Sequence, residues 1–551
     1  MRKNLLEVRN LSVGINRGAK RERLAIIDGC SFAVRAGEIV ALVGESGCGK
    51  TLTSLAVSRL LPPAAEITGG EILFNSDDGR EPVNLCALGG ALGGAKGEKE
   101  LCRIRGKKIA MVFQEPRQSL NPLMRIGAQI AEALELHADK RAGKFAGKFA
   151  GKFAGKLARG NAAAEVLELL RRLKFPDAEK NLRAFPHQLS GGMCQRVMIA
   201  IAAICRPKLL IADEPTSSLD AENQGHIIGL LGQINREFGT AVLFISHDLS
   251  LARRFCTRAL VMRNGKIVEE GPSESLFSAP AHPYTADLVG AIPRAAGMKT
   301  RPRFPAGDFR ANPFVEIRGL SNSYASRSFG PFGKREEKRV LRNVSLDIGA
   351  GEIFGLAGES GGGKSTLARC ILGLIPYEGE IAIGGRARQG SAGKPPPRGS
   401  VAQMVFQEPG ASLNPAKKIG WLLEEPLVIH RRGLGIGTAR ERARRVDEML
   451  ALVGLEPAHK ARRARELSGG QKQRACIGRA LMLGPKMLIA DEAISSLDVS
   501  SGAQILGLFR DLRESLGLTI LFISHNIAAT EALCDRVAVM RGGEIAEAHC
   551  G

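Results

Sequence analysis

Two eight-residue stretches have residue types and spacings suited to phosphate chemistry. The first is Gly44, Glu45, Ser46, Gly47, Cys48, Gly49, Lys50 and Thr51. The second is Gly358, Glu359, Ser360, Gly361, Gly362, Gly363, Lys364 and Ser365. Glycines let backbone N–H groups wrap phosphate oxygens closely, and a helix starting at the lysine adds the partial positive charge of its N-terminus. Lys50 and Lys364 are spaced to reach the β- and γ-phosphates, and Thr51 and Ser365 to ligate Mg²⁺ through their hydroxyls. The bland alternative, a glycine-rich turn with an incidental lysine, does not account for two copies in the same context. Asp213 and Asp491 each end an apolar run, where a carboxylate can hold Mg²⁺ through water. Glu214 and Glu492 follow directly and suit a group that orients or polarises an attacking water. A single acid pair of this kind reads equally well as solvated loop carboxylates. Its recurrence at fixed spacing from a phosphate loop favours chemistry.

These residues must be positioned by a unit that occurs twice. MVFQEPRQSLNP at Met111–Pro122 recurs as MVFQEPGASLNP at Met404–Pro415, and LFISHD at Leu243–Asp248 as LFISHN at Leu521–Asn526. Lys50 and Lys364 are 314 residues apart, Gln114 and Gln407 are 293 apart, and Ser190 and Ser468 are 278 apart. The first copy therefore carries 21 more residues before Gln114 and a further 15 before Ser190. The first insert falls around the Gly/Ala-rich Ala87–Gly97. The second coincides with the tetrapeptide tract AGKF-AGKF-AGKF-AGKL at Ala142–Leu157. Glu38–Gly44, Lys208–Asp213 and Thr240–Ser246 read as near-continuous apolar strands, which suit a parallel sheet covered on both faces. The predicted class is α/β, with two tandem P-loop NTPase domains, each a mixed or parallel β-core with a helical subdomain. The expected boundaries are 1–293, a linker at 294–313, and 314–551.

LSGGMCQR at Leu189–Arg196 and LSGGQKQR at Leu467–Arg474 resemble the signature of ATP-binding cassette ATPases, and the resemblance covers almost the whole chain. In that family two cassettes pair head to tail, with each ATP between the phosphate loop of one and the signature of the other. The resemblance thus implies an intramolecular cassette dimer. Lys50 would be paired with Ser468, Gly469 and Gly470, and Lys364 with Ser190, Gly191 and Gly192. Gln114 and Gln407 match the glutamines that sense Mg²⁺ and couple to membrane subunits. His247 and His525 match the switch histidine at the γ-phosphate, although a lone histidine is more often structural. Ser217–Asp220 and Ser495–Asp498 match the loop that crosses the dimer. FQEP-x-x-SLNP in both copies, and HPYTADLVGAIP at His282–Pro293, are similar to the ATPases of dipeptide, oligopeptide and nickel importers. The chain looks like a natural fusion of that family's two ATPase subunits.

Some positions depart from the family pattern. Tyr324 occupies the place of the aromatic that stacks on adenine in the second copy, whereas Ile15 takes that place in the first. Adenine at the Lys50 site would then lose a stacking increment of order 1 kcal/mol. Ala493 stands where proline is commoner. Gly297–Pro313 contains no cysteine, so no iron–sulfur cluster is expected there, and no second HPYT follows His525. Cys48 lies inside the first phosphate loop, where its position mainly offers a backbone N–H.

Composition limits what else the chain can be. Its 551 residues are 44% hydrophobic, which excludes wholesale disorder. The eleven cysteines include no C-x-x-C, so zinc, redox and haem motifs are not indicated. No apolar run reaches the roughly 20 residues of a membrane span, and MRKNLLEVRN lacks the apolar core of a signal peptide. The net charge of +22 leaves nucleic acid or an anionic membrane surface as partners. Lys140–Arg159 alone holds seven Lys/Arg and no acid. Its Phe145, Phe149, Phe153 and Leu157 recur at helical spacing, but the intervening glycines oppose a helix.

The expected function is that of the ATP-hydrolysing subunit of an importer, using ATP and Mg²⁺. It would sit at the cytoplasmic face of the inner membrane near the anionic leaflet. Two membrane permease subunits and an extracytoplasmic solute-binding protein are the expected partners, with no specific nucleic acid. Peptide leads as the solute, with nickel, glutathione and opine-like compounds left open. The competing function is a soluble twin-cassette ATPase acting on ribosomes or nucleic acid. Its relatives usually carry a long charged helical linker or zinc-binding cysteines, whereas Arg294–Pro313 is short and broken by three prolines.

Overall fold

The computed structural model describes residues 4–17, 22–75, 81–88, 90–137, 161–217, 219, 221–290, 313–327, 335–359, 361–389, 401–431, 438–495 and 497–550. The chain divides into two units, Met1–Gly290 and Ala291–Gly551. The basic tract Ala142–Leu157 lies outside the described residues, as does the expected linker except Pro313.

In the first unit, β1 (Asn4–Arg17), β2 (Glu22–Arg35), β4 (Ala65–Phe74) and β5 (Val83–Asn84) form an antiparallel sheet in the order β2-β1-β4-β5. Alternation puts Leu6, Val8, Leu11 and Val13 of β1 in the core, with the register shifted between Val8 and Leu11. A second sheet has the order β10-β9-β3-β8-β7-β6. It contains β3 (Ile39–Val43), β6 (Ile109–Val112), β7 (Leu209–Asp213), β8 (Ala241–Ile245), β9 (Arg258–Arg263) and β10 (Lys266–Pro272). All its pairings are parallel except β9 with β10. Every residue of β7 and β8 is buried, as expected of central strands covered on both faces.

The second unit repeats both sheets. Its antiparallel sheet is ordered β12-β11-β14-β15, from β11 (Pro313–Arg327), β12 (Arg335–Gly349), β14 (Glu378–Ile383) and β15 (Arg386–Gln389). The other sheet is ordered β16-β17-β18-β13-β19-β20. Its strands are β13 (Ile353–Gly358), β16 (Ala402–Val405), β17 (Met487–Asp491), β18 (Thr519–Ser524), β19 (Arg536–Arg541) and β20 (Glu544–Cys550). The α/β class and its doubling hold. A helical part follows β16, where the buried faces of Ile419–Ile429, Ala439–Leu452 and Gly469–Leu481 share one core with β17 and β18.

Three details add to or differ from the sequence expectation. The strands before the phosphate loop and around Asp213 are a residue or two shorter than their apolar runs. The first insert is helical, over Leu85–Leu88 and Gly90–Ile104, and breaks at Gly94 with φ 55°. Pro313 belongs to β11 rather than to a linker. Among the described residues, no helix is long and apolar enough to cross a membrane.

Candidate functional site

Each phosphate loop leads from the end of a buried strand into an eight-residue helix, Lys50–Val57 or Lys364–Ile371. The preceding Gly49 and Gly363 adopt φ 112° and 103°, a conformation that side chains with a Cβ rarely take. Neither helix has a side-chain cap, so its first N–H groups face the loop. A Cβ on Gly44 would lie 2.2 Å from Met262 O, and one on Gly358 the same distance from Met540 O. The loop therefore presses against the neighbouring strand at a point where only glycine fits. Gly47 and Gly361 adopt φ 85° and 82°, and Gly362 is buried. Ser360 lies outside the described residues.

Lys50 is almost fully buried, with its Nζ donating to the carbonyls of Gly44 and Glu45, each at 2.8 Å. Lys364 does the same to Gly358 at 2.7 Å and Glu359 at 2.8 Å. Buried ammonium groups are thus held over the loop by its own carbonyls. Cys48 lies beneath, with its Sγ 3.8 Å from Lys50 Nζ, and burial raises its thiol pKa despite that lysine.

The metal-type residues meet at the same place. Thr51 Oγ1 donates to Asp213 Oδ1 at 3.3 Å, and Ser365 Oγ to Asp491 Oδ1 at 3.1 Å. Burial pushes the Asp213 carboxyl up to about 6, a rise reduced by the Thr51 hydrogen bond and increased by the Glu214 charge. Burial raises Asp491 for the same reason. A buried carboxylate beside a hydroxyl is a donor set for a hard cation.

Glu214 and Glu492 have left-handed backbones, φ 46° and 50°, a conformation costing about 1–2 kcal/mol for a residue with a Cβ. It is held by Glu214 N–H donating to Ile245 O and by Ser217 Oγ donating to Glu214 O, both at 2.9 Å. Glu492 has the same two bonds, to Ile523 and from Ser495. Gln114 Nε2 donates to Glu214 Oε2 at 2.7 Å, and Gln407 Nε2 to Glu492 Oε2 at 2.5 Å. His247 Nδ1 is 3.4 Å from Glu214 Oε1, and His525 Nδ1 is 3.5 Å from Glu492 Oε1. Burial acts to raise Glu214, but His247, Lys50 and Gln114 outweigh it and hold the carboxyl below its ordinary range. His525, Lys364 and Gln407 do the same for Glu492. Burial tends to lower His247, yet Glu214 reverses this and raises it. Adjacent acids are thereby driven apart, the aspartate toward its neutral form and the glutamate toward its ionised one.

The signature residues are hydrogen-bonded elsewhere. Ser190 and Ser468 cap the helices Gly191–Ala203 and Gly469–Leu481, accepting from Met193 N–H and Gln471 N–H, each at 3.3 Å. Only the second is a reciprocal box, since Gln471 Oε1 accepts from Ser468 N–H at 3.1 Å. Gln471→Met is expected to cost about 0.5–1 kcal/mol locally, read as faster amide exchange over Gly469–Gln473. Gly192 and Gly470 pack closely, since a Cβ would meet Asn223 at 3.1 Å or Ser501 at 3.2 Å. Tyr324 is 40% exposed on β11, and Ile15 is half-buried on β1. Ala493 is buried in the second core. Of the loops expected to cross the dimer, Ser218, Asp220 and Ser496 lie outside the described residues.

The profile of the ABC transporter family matches residues 27–217 and 341–495. The chain belongs to the ABC transporter family. The C-terminal region profile of oligopeptide/dipeptide transporters matches residues 268–307. A glutathione import ATP-binding protein from Salmonella choleraesuis is 40% identical over 568 residues, covering 99% of this chain and 86% of that protein. Its Escherichia coli K12 namesake is 38% identical over 565 residues, with the same coverage. Among solved structures, the chain is similar to a dimeric ATP-binding cassette in a post-hydrolysis state with ADP and Pi. That match has 29% identity and a TM-score of 0.38, and covers 43% of this chain and 98% of that one.

As an ABC ATPase the chain uses ATP and Mg²⁺, and the residues fit them. The glycine cradle leaves no room for a Cβ at Gly44, the helix N-termini carry no side-chain cap, and the hydroxyl–carboxylate pairs suit a hard cation. When bound, MgATP supplies the transferable phosphoryl group and the metal charge that screens it. Sequence reasoning missed two features of this ABC site. One is the left-handed glutamate backbone, signalled only by the Ser three residues on. The other is the contact made by Tyr284 of the HPYT segment, whose hydroxyl accepts from Glu45 N–H at 3.1 Å across 239 residues of sequence.

Proposed function

We propose that this ABC ATPase is the energy-coupling subunit of an importer for peptide-like solutes. Its partners would be two membrane permease subunits, with an extracytoplasmic solute-binding protein delivering the cargo. The chain would work peripherally at the cytoplasmic face of the inner membrane, against an anionic leaflet. The observation that carries this is the doubled Lys–Thr/Ser–Asp–Glu–Gln–His cluster on a chain aligned over 99% of its length with a glutathione import ATP-binding protein.

Within each cluster the roles divide by chemistry. Lys50 and Lys364 bind phosphates, with the Gly44–Thr51 and Gly358–Ser365 N–H groups as cradle. Thr51 with Asp213, and Ser365 with Asp491, hold Mg²⁺, and Gln114 and Gln407 sense it. Glu214 and Glu492, kept ionised, take the proton of the attacking water, and His247 and His525 orient them. Tyr324 stacks on adenine in the second copy. Ser190–Gly192 and Ser468–Gly470 are the signature residues of the two cassettes, which are bounded near 1–293 and 314–551.

Deletion of the gene is expected to abolish uptake of labelled glutathione or a di- or tripeptide by intact cells. Restoring the parent chain should recover it, and a Lys50→Ala, Lys364→Ala variant should not. Undiminished uptake of all these solutes after deletion would overturn the peptide reading.

A further inference from the structure

Tyr284 stands outside the residues so far assigned to the ATP site. It lies on the helix Pro283–Gly290, the last described element of the first unit, and is 5% exposed. Its hydroxyl oxygen accepts from Glu45 N–H at 3.1 Å. That N–H belongs to the Gly44–Glu45 peptide group, whose carbonyl, Gly44 O, accepts from Lys50 Nζ at 2.8 Å. One peptide plane is therefore held from both sides, by tyrosine at its N–H and by the phosphate-loop lysine at its oxygen. Rotating that plane would break both bonds at once.

The tyrosine is itself fixed. The Glu269 carboxylate accepts from Ala281 N–H at 2.9 Å and His282 N–H at 3.2 Å, and His282 Nδ1 accepts from Tyr284 N–H at 3.1 Å. The Arg263 guanidinium lies over the tyrosine ring, 4.7 Å from its centroid. Arg263 ends β9 next to Met262, whose carbonyl closes on Gly44. The strand that presses on the loop thus also supports the tyrosine. Burial pushes the Tyr284 hydroxyl up to about 12, so it adds no negative charge beside a phosphate site.

We propose that Tyr284 is a positioning residue for the first ATP site, a strut that fixes the Gly44–Glu45 peptide and through it Lys50. The inference rests on Lys50 binding the nucleotide phosphates. A preorganised loop binds its ligand without first ordering itself, and loss of one neutral hydrogen bond corresponds to a change of about three- to tenfold in affinity. Because Tyr284 braces only the Gly44–Thr51 loop, the second loop serves as an internal control.

The test uses the full chain and equilibrium dialysis with radiolabelled ATP and Mg²⁺. A Lys364→Ala background leaves the first site as the one that binds, and a Lys50→Ala background leaves the second. Tyr284→Phe keeps the ring and removes the hydroxyl. In the first background it is expected to raise the Kd about three- to tenfold, with the nucleotide-free melting temperature within about 2 °C of the parent. In the second background the Kd should not move. In the otherwise native chain, KM for ATP should rise more than kcat falls. An unchanged Kd at the first site would overturn the proposal, as would an equal loss at both sites, which marks a general structural role. If Tyr284→Phe fails to fold, Arg263→Ala, which removes only the brace over the ring, should raise the first-site Kd alone, and no change would again overturn it. If the Lys364→Ala parent binds no ATP, it is the assignment of Lys50 that fails, before Tyr284 is tested.

Discussion

The Glu214→Gln, Glu492→Gln double variant is expected to hydrolyse ATP about 10²- to 10⁴-fold more slowly than the parent chain while still binding it. The substitution keeps side-chain size and an oxygen for Gln114 or Gln407 to donate to, at positions where those bonds measure 2.7 and 2.5 Å. It removes the ability to accept a proton from water. That ability is what the surroundings protect, since both carboxyls are held ionised against burial by a histidine, a lysine and a glutamine. The left-handed backbone is retained, so the change falls on chemistry and not on placement. Each single variant should lose at least half of the steady-state turnover, because both clusters are complete. Phosphate release measured beside equilibrium ATP binding decides the matter. Full turnover in either single variant would contradict equal participation, and a double variant retaining more than a tenth would remove the glutamates from the proton-transfer role.

Much of this site was legible because it recurs. Lys50, Thr51, Asp213, Glu214, Gln114 and His247 each lie in a short motif that appears again at a defined offset, and strand ends and helix starts bring the motifs together. The sheet core was legible for a similar reason, since near-continuous apolar runs such as Leu209–Asp213 have few alternatives to a doubly covered strand. Local patterns do not encode pairings between distant side chains. Tyr284 and Glu45 are 239 residues apart, and neither residue type signals the other. The same holds for dihedral angles. Glutamate has no preference for a left-handed backbone, so the conformation of Glu214 is imposed by its bonds to Ile245 and Ser217. The Asp248-to-Asn526 difference between copies is accommodated locally, since each side chain caps the next helix, accepting from Leu251 or Ala529 N–H at 3.0 Å.

A second distant pairing carries the other large expected effect. In the second unit Glu352 is fully buried, and Arg536 Nε and Nη2 donate to its two oxygens at 2.6 and 2.9 Å. Gly349 N–H donates to Glu352 as well, at 2.6 Å, and the guanidinium packs over Phe354, 5.2 Å from the ring centroid. The counterpart in the first unit, Arg258 with Glu38, is bidentate at 2.8 and 3.0 Å but leaves Glu38 partly exposed. Removing one member of a buried pair strands a charge that water cannot reach, which costs about 3–5 kcal/mol. Arg536→Ala is therefore expected to lower the melting temperature by on the order of 10 °C and to speed amide exchange in β13 and β19 before β3 and β9. Arg258→Ala should cost less, because solvent can reach Glu38. Replacing both partners, Glu352→Met with Arg536→Met, should recover most of the loss, since no unpaired charge remains. Calorimetry of the full chain with peptide-resolved exchange separates these outcomes. If Arg536→Ala proved no more harmful than Arg258→Ala, burial of the glutamate would not be what sets the cost.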